Sequence, residues 1–237
     1  MKERPILFSG EMVRALLAGR KTQTRRIITD RREWAAKALP KLTALVPEGA
    51  GFSMRVGYGG DPLAGHVGMT WCPYGGPGDR LWVRETWGIR DATSGAQLVP
   101  GNLLGRQPTG TRIVYRADAD GPEMQSWWAP SIHMPRWASR LTLDVVSVRA
   151  ERLHAITEDD ARAEGVEPEP CGCCERLEAC EVGANGGRCC TCCLGTGVGE
   201  SFASAYANLW DAINGARGPW ASNPWVWVLT FHRIEAP

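Results

Sequence analysis

Eight of the nine cysteines in this 237-residue chain fall between Cys171 and Cys193. A stretch so dense in cysteine, glycine and charge holds too few apolar side chains to fold around a core of its own, so it needs cross-links. The opening "MKERPILFSG" has no apolar run followed by a small-residue cleavage site, which argues against secretion and for a cytoplasmic location. In that reducing setting, thiolate–metal bonds are a stronger reading than disulfides. Cys171-x-x-Cys174, fifteen further residues and Cys190-x-x-Cys193 give the spacing of a four-thiolate zinc ribbon. Such a shell leaves no place for water, so the expected Zn2+ is structural, with no cofactor for catalysis. Cys173, Cys180, Cys189 and Cys192 leave the register open and allow a second ion. Buried or disulfide-bonded cysteine without metal is the alternative.

The rest of the chain carries a different pattern. Hydrophobic residues make up 43% and charged residues 22%, as in ordinary globular domains. The longest apolar run, Trp225 to Phe231, is strand-sized and far short of the ~20 residues of a membrane span, so no membrane partner is expected. Ser9 is placed to cap a helix over 10–18, with Gly19 just past its end. Beyond Gly19, "KTQTRRII" loses the helical period and reads as a turn entering a strand. A second helix is expected over 32–39, ended by Pro40. Residues 47–79, rich in Gly and Pro, read as a long loop or insertion.

"GDRLWVRETWGI", "GTRIVYRAD", "SRLTLDVVSVRAERL" and the terminal "NPWVWVLTFHRI" read as strands. "ITEDDARAEGV" reads as a short helix with Thr157 as cap, Asp160 three residues on and Gly165 at its end; another helix is expected over 201–212. Several short strands with a few helices and no regular βα alternation predict an α+β fold around a small β-barrel. The barrel's first part spans 1–167, a zinc-binding insertion spans 168–198, and the closing helix and strand span 199–237.

Net charge is only +1, yet residues 1–34 hold nine Lys/Arg against four acids, so this segment is +5 and the remainder −4. That asymmetry suits an anionic ligand near the N-terminal segment, and equally a solvated basic face. Eleven tryptophans could supply core and, in part, flat surfaces for a base-like ring. The four histidines, at 66, 133, 154 and 232, lack metal-ligand spacing, and no P-loop, dinucleotide fingerprint or G-x-S-x-G is present.

Gly19-x-Lys21-x-x-x-x-Arg26 resembles the G-x-K-x-x-x-x-R signature of ASCH domains, a PUA-like β-barrel superfamily linked to RNA and nucleoside chemistry. "LAGRKTQTRR" is similar to the corresponding segment of the small bacterial N4-acetylcytidine amidohydrolases of that superfamily. "GDRLWV", "ITEDDARAEGV" and "WVWVLTFHRI" resemble further family segments in the right order, and "VRETW" resembles longer proteins found in bacteriophage genomes. "CTCCLGTG", Cys190 to Gly197, is similar to the C-x-x-C-x-G-x-G of DnaJ-type zinc modules.

The resemblance implies a PUA-like barrel and a catalytic lysine, threonine and glutamate, which fall on Lys21, Thr24 and Glu164. A lysine acting as base must be neutral, so its pKa must fall from ~10.4; Arg20, Arg25 and Arg26 push that way. Thr24 could then attack an amide carbonyl, Glu164 could pass a proton to the leaving amine, and Arg26 is the candidate to hold the oxyanion. Glu85, on the alternation of Leu81 and Val83, is the reserve carboxylate and is expected to pair with Lys21 or an arginine.

Gly19, Arg20, Arg26, Trp82, Glu85 and Trp87 complete the substrate-binding candidates, though Trp82 and Trp87, each taken singly, read first as core. The expected reaction is hydrolysis of an N4-acylated cytidine or related pyrimidine nucleoside, free or in RNA. A non-catalytic RNA-binding module and a ribonuclease are the alternatives. A lysine-rich turn after a helix also serves simply as favourable charge on the helix end.

Overall fold

A computed structural model describes residues 1–29, 41–48, 51–58, 61–91, 93–94, 97–98, 109–118, 128–168 and 201–234. The fold is α+β and mostly strands. It divides into two compact units. The first comprises residues 1–22, 71–148 and 229–237, and the second comprises 23–70 and 149–228.

In the first unit, strand β1 (Glu3–Leu7) pairs in parallel with β6 (Arg80–Arg84), which pairs antiparallel with the start of β10 (Thr142–Arg152). The latter part of β11 (Trp225–Ile234) lies beside β10. Helix α1 (Gly10–Leu17) packs Val13, Ala15 and Leu16 inward. The backbone N–H of Met12 donates to Ser9 Oγ, as its place at the cap predicts. At the other end, Gly19 takes a left-handed φ of 73°. Its N–H donates to Leu16 O and that of Arg20 to Ala15 O, a Schellman closure that any side chain at Gly19 would strain.

Leu81, Trp82 and Val83 are all buried, so both faces of β6 are covered. The expected single strand through "GDRLWVRETWGI" is broken at Glu85–Thr86 and resumes as β7 (Trp87–Asp91). β7 is the centre of a second sheet, with β8 (Gln97–Leu98) on one side and β9 (Thr111–Tyr115) on the other.

In the second unit, β2 (Gln23–Ile27) is an edge strand beside β11. Helix α2 (Glu158–Ala163) begins in a capping box, with Thr157 Oγ accepting from Asp160 N–H and the Asp160 carboxylate accepting from Thr157 N–H. Gly165 ends it at φ 81°. Helix α3 (Phe202–Asn214) starts at Ser201. Leu153, Ala161, Tyr206, Trp210, Val226 and Val228 form the core that α2 and α3 share, with Ile27 of β2 against it.

The segment expected as a loop over 47–79 is largely strand. An antiparallel meander of β3 (Ala44–Glu48), β4 (Gly51–Tyr58) and β5 (Asp61–Thr70) occupies most of it. The reason is Phe52 and Met54, two residues apart and buried, with Phe52 edge-on to Trp227 at 4.9 Å between centroids. That burial outweighs the turn-forming tendency of the glycines. Every sheet is open, so no barrel closes among the described residues. The helix expected over 32–39 and the zinc ligands Cys171, Cys174, Cys190 and Cys193 lie outside the described residues. Among those described, no helix is long and apolar enough to cross a membrane.

Candidate functional site

Charged and hydrogen-bonding side chains are costly to bury, so where a chain buries them is informative. Among the described residues eight polar or charged side chains are buried, and four of them, Lys21, Gln23, Thr24 and Arg25, come from one five-residue stretch. A fifth is Glu164. Lys21, Thr24 and Glu164 are 3%, 2% and 3% exposed, so none of the three is the solvated side chain that composition alone would suggest.

In the first unit, the Schellman turn pins Lys21, whose N–H also donates to Ala15 O. Its Nζ stands 5.5 Å from the centroid of the Phe8 ring, within cation–π range. Arg20 is exposed and Arg26 half-buried.

In the second unit, alternation along β2 sends Gln23, Arg25 and Ile27 to one face and Thr24 and Arg26 to the other. The Arg25 side chain is fully buried. Its Nη2 donates to Glu151 at 2.7 Å and to Asp160 at 3.0 Å, and its Nη1 donates to Glu164 at 3.4 Å. Arg149 donates to Glu151 at 3.0 Å and to Asp160 at 2.9 Å, while the Gln23 amide donates to Asp160 and accepts from Arg149. Burial works against the Arg25 charge, but Glu164 and Glu151 outweigh it and raise its pKa. Burial likewise works against an ionised Asp160, yet Gln23, Arg25 and Arg149 hold its carboxyl down at about 2.

Tyr206 of α3 completes the cluster. Burial, and then the Glu164 charge, push its phenol well above the usual range, and its hydroxyl is hydrogen-bonded to Glu164. The acids of α2 separate by role. Glu158 accepts from the N–H groups of Phe202 and Ala203 and so caps α3, Asp160 joins the Arg25 cluster, and Glu164 is the buried one. Glu164 therefore meets Arg25, whose side chain leaves β2 on the face opposite Thr24.

In the first unit, Glu85 is 1% exposed, as its place on the alternation predicts. Its partner is Arg140, which donates to both carboxylate oxygens at 2.9 and 3.0 Å. Arg140 also grips Asp118 through two bonds and stacks 3.9 Å from the Tyr115 ring centroid. Burial raises the Glu85 carboxyl against the pull of Arg140, and pushes the Tyr115 phenol up to about 12. With both oxygens engaged, Glu85 is a clasp between the break after β6 and the segment leading into β10 rather than a free carboxylate. Trp82 and Trp87 are core: Trp82 is buried with Arg84 4.7 Å above its ring, and Trp87 packs edge-on to Trp137 at 5.7 Å.

Sequence reasoning assigned Arg25 only a background charge and gave Gln23, Arg149, Glu151, Tyr206 and Arg140 no role. The available signal was a polar or charged side chain at every second position, Gln23/Arg25 in β2 and Arg149/Glu151 in β10, where a half-buried strand ordinarily keeps one apolar face. Compared with known proteins, the chain matches no family model, no curated protein and no solved structure.

Proposed function

We propose that this chain is a cytoplasmic amidohydrolase of the ASCH type, on a PUA-like fold, acting on an N4-acylated cytidine or a related modified pyrimidine nucleoside. The observation that carries the reading is the burial of Lys21, Thr24 and Glu164, the three positions the family resemblance marks out. Thr24 Oγ attacks the acyl carbonyl while its proton passes to neutral Lys21. The C–N bond then breaks, Glu164 delivers a proton to the departing cytosine nitrogen, and water releases the acyl group as a carboxylic acid. Arg26, on the Thr24 face of β2, is the residue we assign to stabilise the oxyanion. Glu164 itself is bonded to Arg25, whose side chain leaves β2 on the face opposite Thr24.

Cys171, Cys174, Cys190 and Cys193 would hold the structural zinc. Four thiolates suit that ion, and no step of the reaction passes through it.

The test is release of cytidine from N4-acetylcytidine, followed chromatographically, by the wild type and by Lys21→Ala. Turnover by the wild type and at least ~100-fold less by the variant is the expected result. No turnover by the wild type overturns the hydrolase reading. The RNA-binding reading would then be measured as the salt dependence of affinity, which the +5 segment of residues 1–34 would make steep.

A further inference from the structure

The sheet of β8, β7 and β9 in the first unit has one face that the proposed reaction does not use. Alternation sends Trp87 and Ile89 of β7, with Ile113 and Tyr115 of β9, to the side packed on Met134 and Ala138. The other side carries Gly88 and Arg90 of β7 with Arg112 and Val114 of β9, and Arg116 follows at the end of β9. Every charged residue at these positions is an arginine, and Arg90 stands directly opposite Arg112 in the register. Like charges so paired have Cβ atoms about 5 Å apart and repel, whereas paired strands gain from opposite charges there. Arg112 is exposed and makes no ion pair among the described residues. An anion seated between two guanidiniums turns their repulsion into attraction.

Trp128 lies on the same side. Ala129 and Trp87 exchange both backbone hydrogen bonds, at 2.9 and 3.3 Å, which fixes Trp128 against β7. Gly88 leaves the strand bare beneath the indole: a Cβ there would stand 3.7 Å from the ring and crowd Val114 at 3.3 Å. The ring is half-buried, and the exposed Arg116 has its guanidinium 6.0 Å from the centroid. That is far looser than Arg140 on Tyr115 at 3.9 Å, so Arg116 flanks the indole without closing over it.

We propose that this face is a binding surface for single-stranded nucleic acid: Arg90 and Arg112 hold a backbone phosphate between them, and an unpaired base stacks on Trp128 beside Arg116. Arginines in line with a fixed aromatic ring match a polymer in which phosphates and bases alternate. An acidic peptide would use the guanidiniums and leave the ring idle. The surface is additional to the hydrolase site, and the proposal does not depend on that reading.

The test is fluorescence anisotropy of a labelled oligouridylate with the full chain, titrated over a range of salt. Wild type should bind with an affinity that falls as salt rises. Arg112→Ala should flatten the slope of log affinity against log salt by roughly 0.7, the share of one phosphate on a single strand. Trp128→Ala should weaken binding by roughly tenfold with little change of slope, because stacking is not ionic. Trp128→Phe, which keeps an aromatic ring if the alanine variant does not fold, should retain most of the affinity. Arg112→Ala should hydrolyse N4-acetylcytidine as the wild type does, since its sheet carries none of the proposed catalytic residues.

No binding by the wild type at low salt overturns the proposal. So does an equal loss in Arg14→Ala, an exposed arginine on α1, which would mark the attraction as diffuse charge. Duplex RNA that binds as tightly as the single strand takes the stacked base out of the site and overturns it as well. Polyaspartate that binds as tightly as the oligouridylate and ignores Trp128→Ala would make the face a site for acidic peptide instead. Oligothymidylate that responds to the same variants supports a site blind to the sugar; oligothymidylate that fails where oligouridylate binds assigns the site to RNA.

Discussion

Asp160→Asn isolates the charge of one member of the buried cluster while nearly preserving its shape, because asparagine is close to an isostere of protonated aspartate. In the native state Gln23, Arg25 and Arg149 hold the Asp160 carboxyl at about 2, against an ordinary value of 3.8. A depressed carboxylate stabilises the fold above its unfolded pKa and loses that contribution as pH falls through the folded value. At 1.36 kcal/mol per pH unit, the drop from 3.8 to about 2 corresponds to about 2 kcal/mol at neutral pH. The side chain is 20% exposed, so solvent screening trims this toward ~1–2 kcal/mol. Linkage leaves about half of that at pH 3 and almost none near pH 1. The assay is urea unfolding of wild type and Asp160→Asn at pH 7, 5, 4 and 3, compared at constant m. The gap in stability should be constant from pH 7 to 5, then narrow through pH 4 and 3. A gap independent of pH, or one that widens on acidification, would refute the electrostatic account and leave shape as the cause.

Two further perturbations test the structural assignments. Arg140→Met strips the buried Glu85 of its counter-ion and should cost roughly 3 kcal/mol in thermal unfolding; adding Glu85→Gln should recover part of that loss, and a double variant worse than the single would contradict the clasp. Metal analysis of the purified chain should find at least one zinc per molecule, released by a strong chelator or lost in Cys190→Ser. Metal-free protein with unchanged unfolding would remove zinc from the account.

The parts of the fold that were legible in the sequence are those set by neighbours in the chain. Ser9 with Gly19, and Thr157 with Asp160 and Gly165, specify helix ends through bonds that span a few residues, so the caps could be read directly. The meander of β3 to β5 was hidden because its glycines and prolines signal turns, while the decisive term is the burial of Phe52 against Trp227, 175 residues further along the chain.

The same distance in sequence hid the partners of the buried charges. Glu85 could be read as an inward carboxylate, but Arg140 lies 55 residues away. Arg25 meets Glu164 across 139 residues and Asp160 across 135. A buried charge is visible locally as an anomaly, a polar residue on the wrong beat of a strand. Its counter-charge is fixed only when strands and helices have packed. In a chain that buries Lys21, Gln23, Thr24 and Arg25 almost consecutively, that anomaly is itself informative, since each such side chain costs stability unless something compensates. The compensation found for Arg25 comes from three acids, Glu151, Asp160 and Glu164, none of them a near neighbour in sequence.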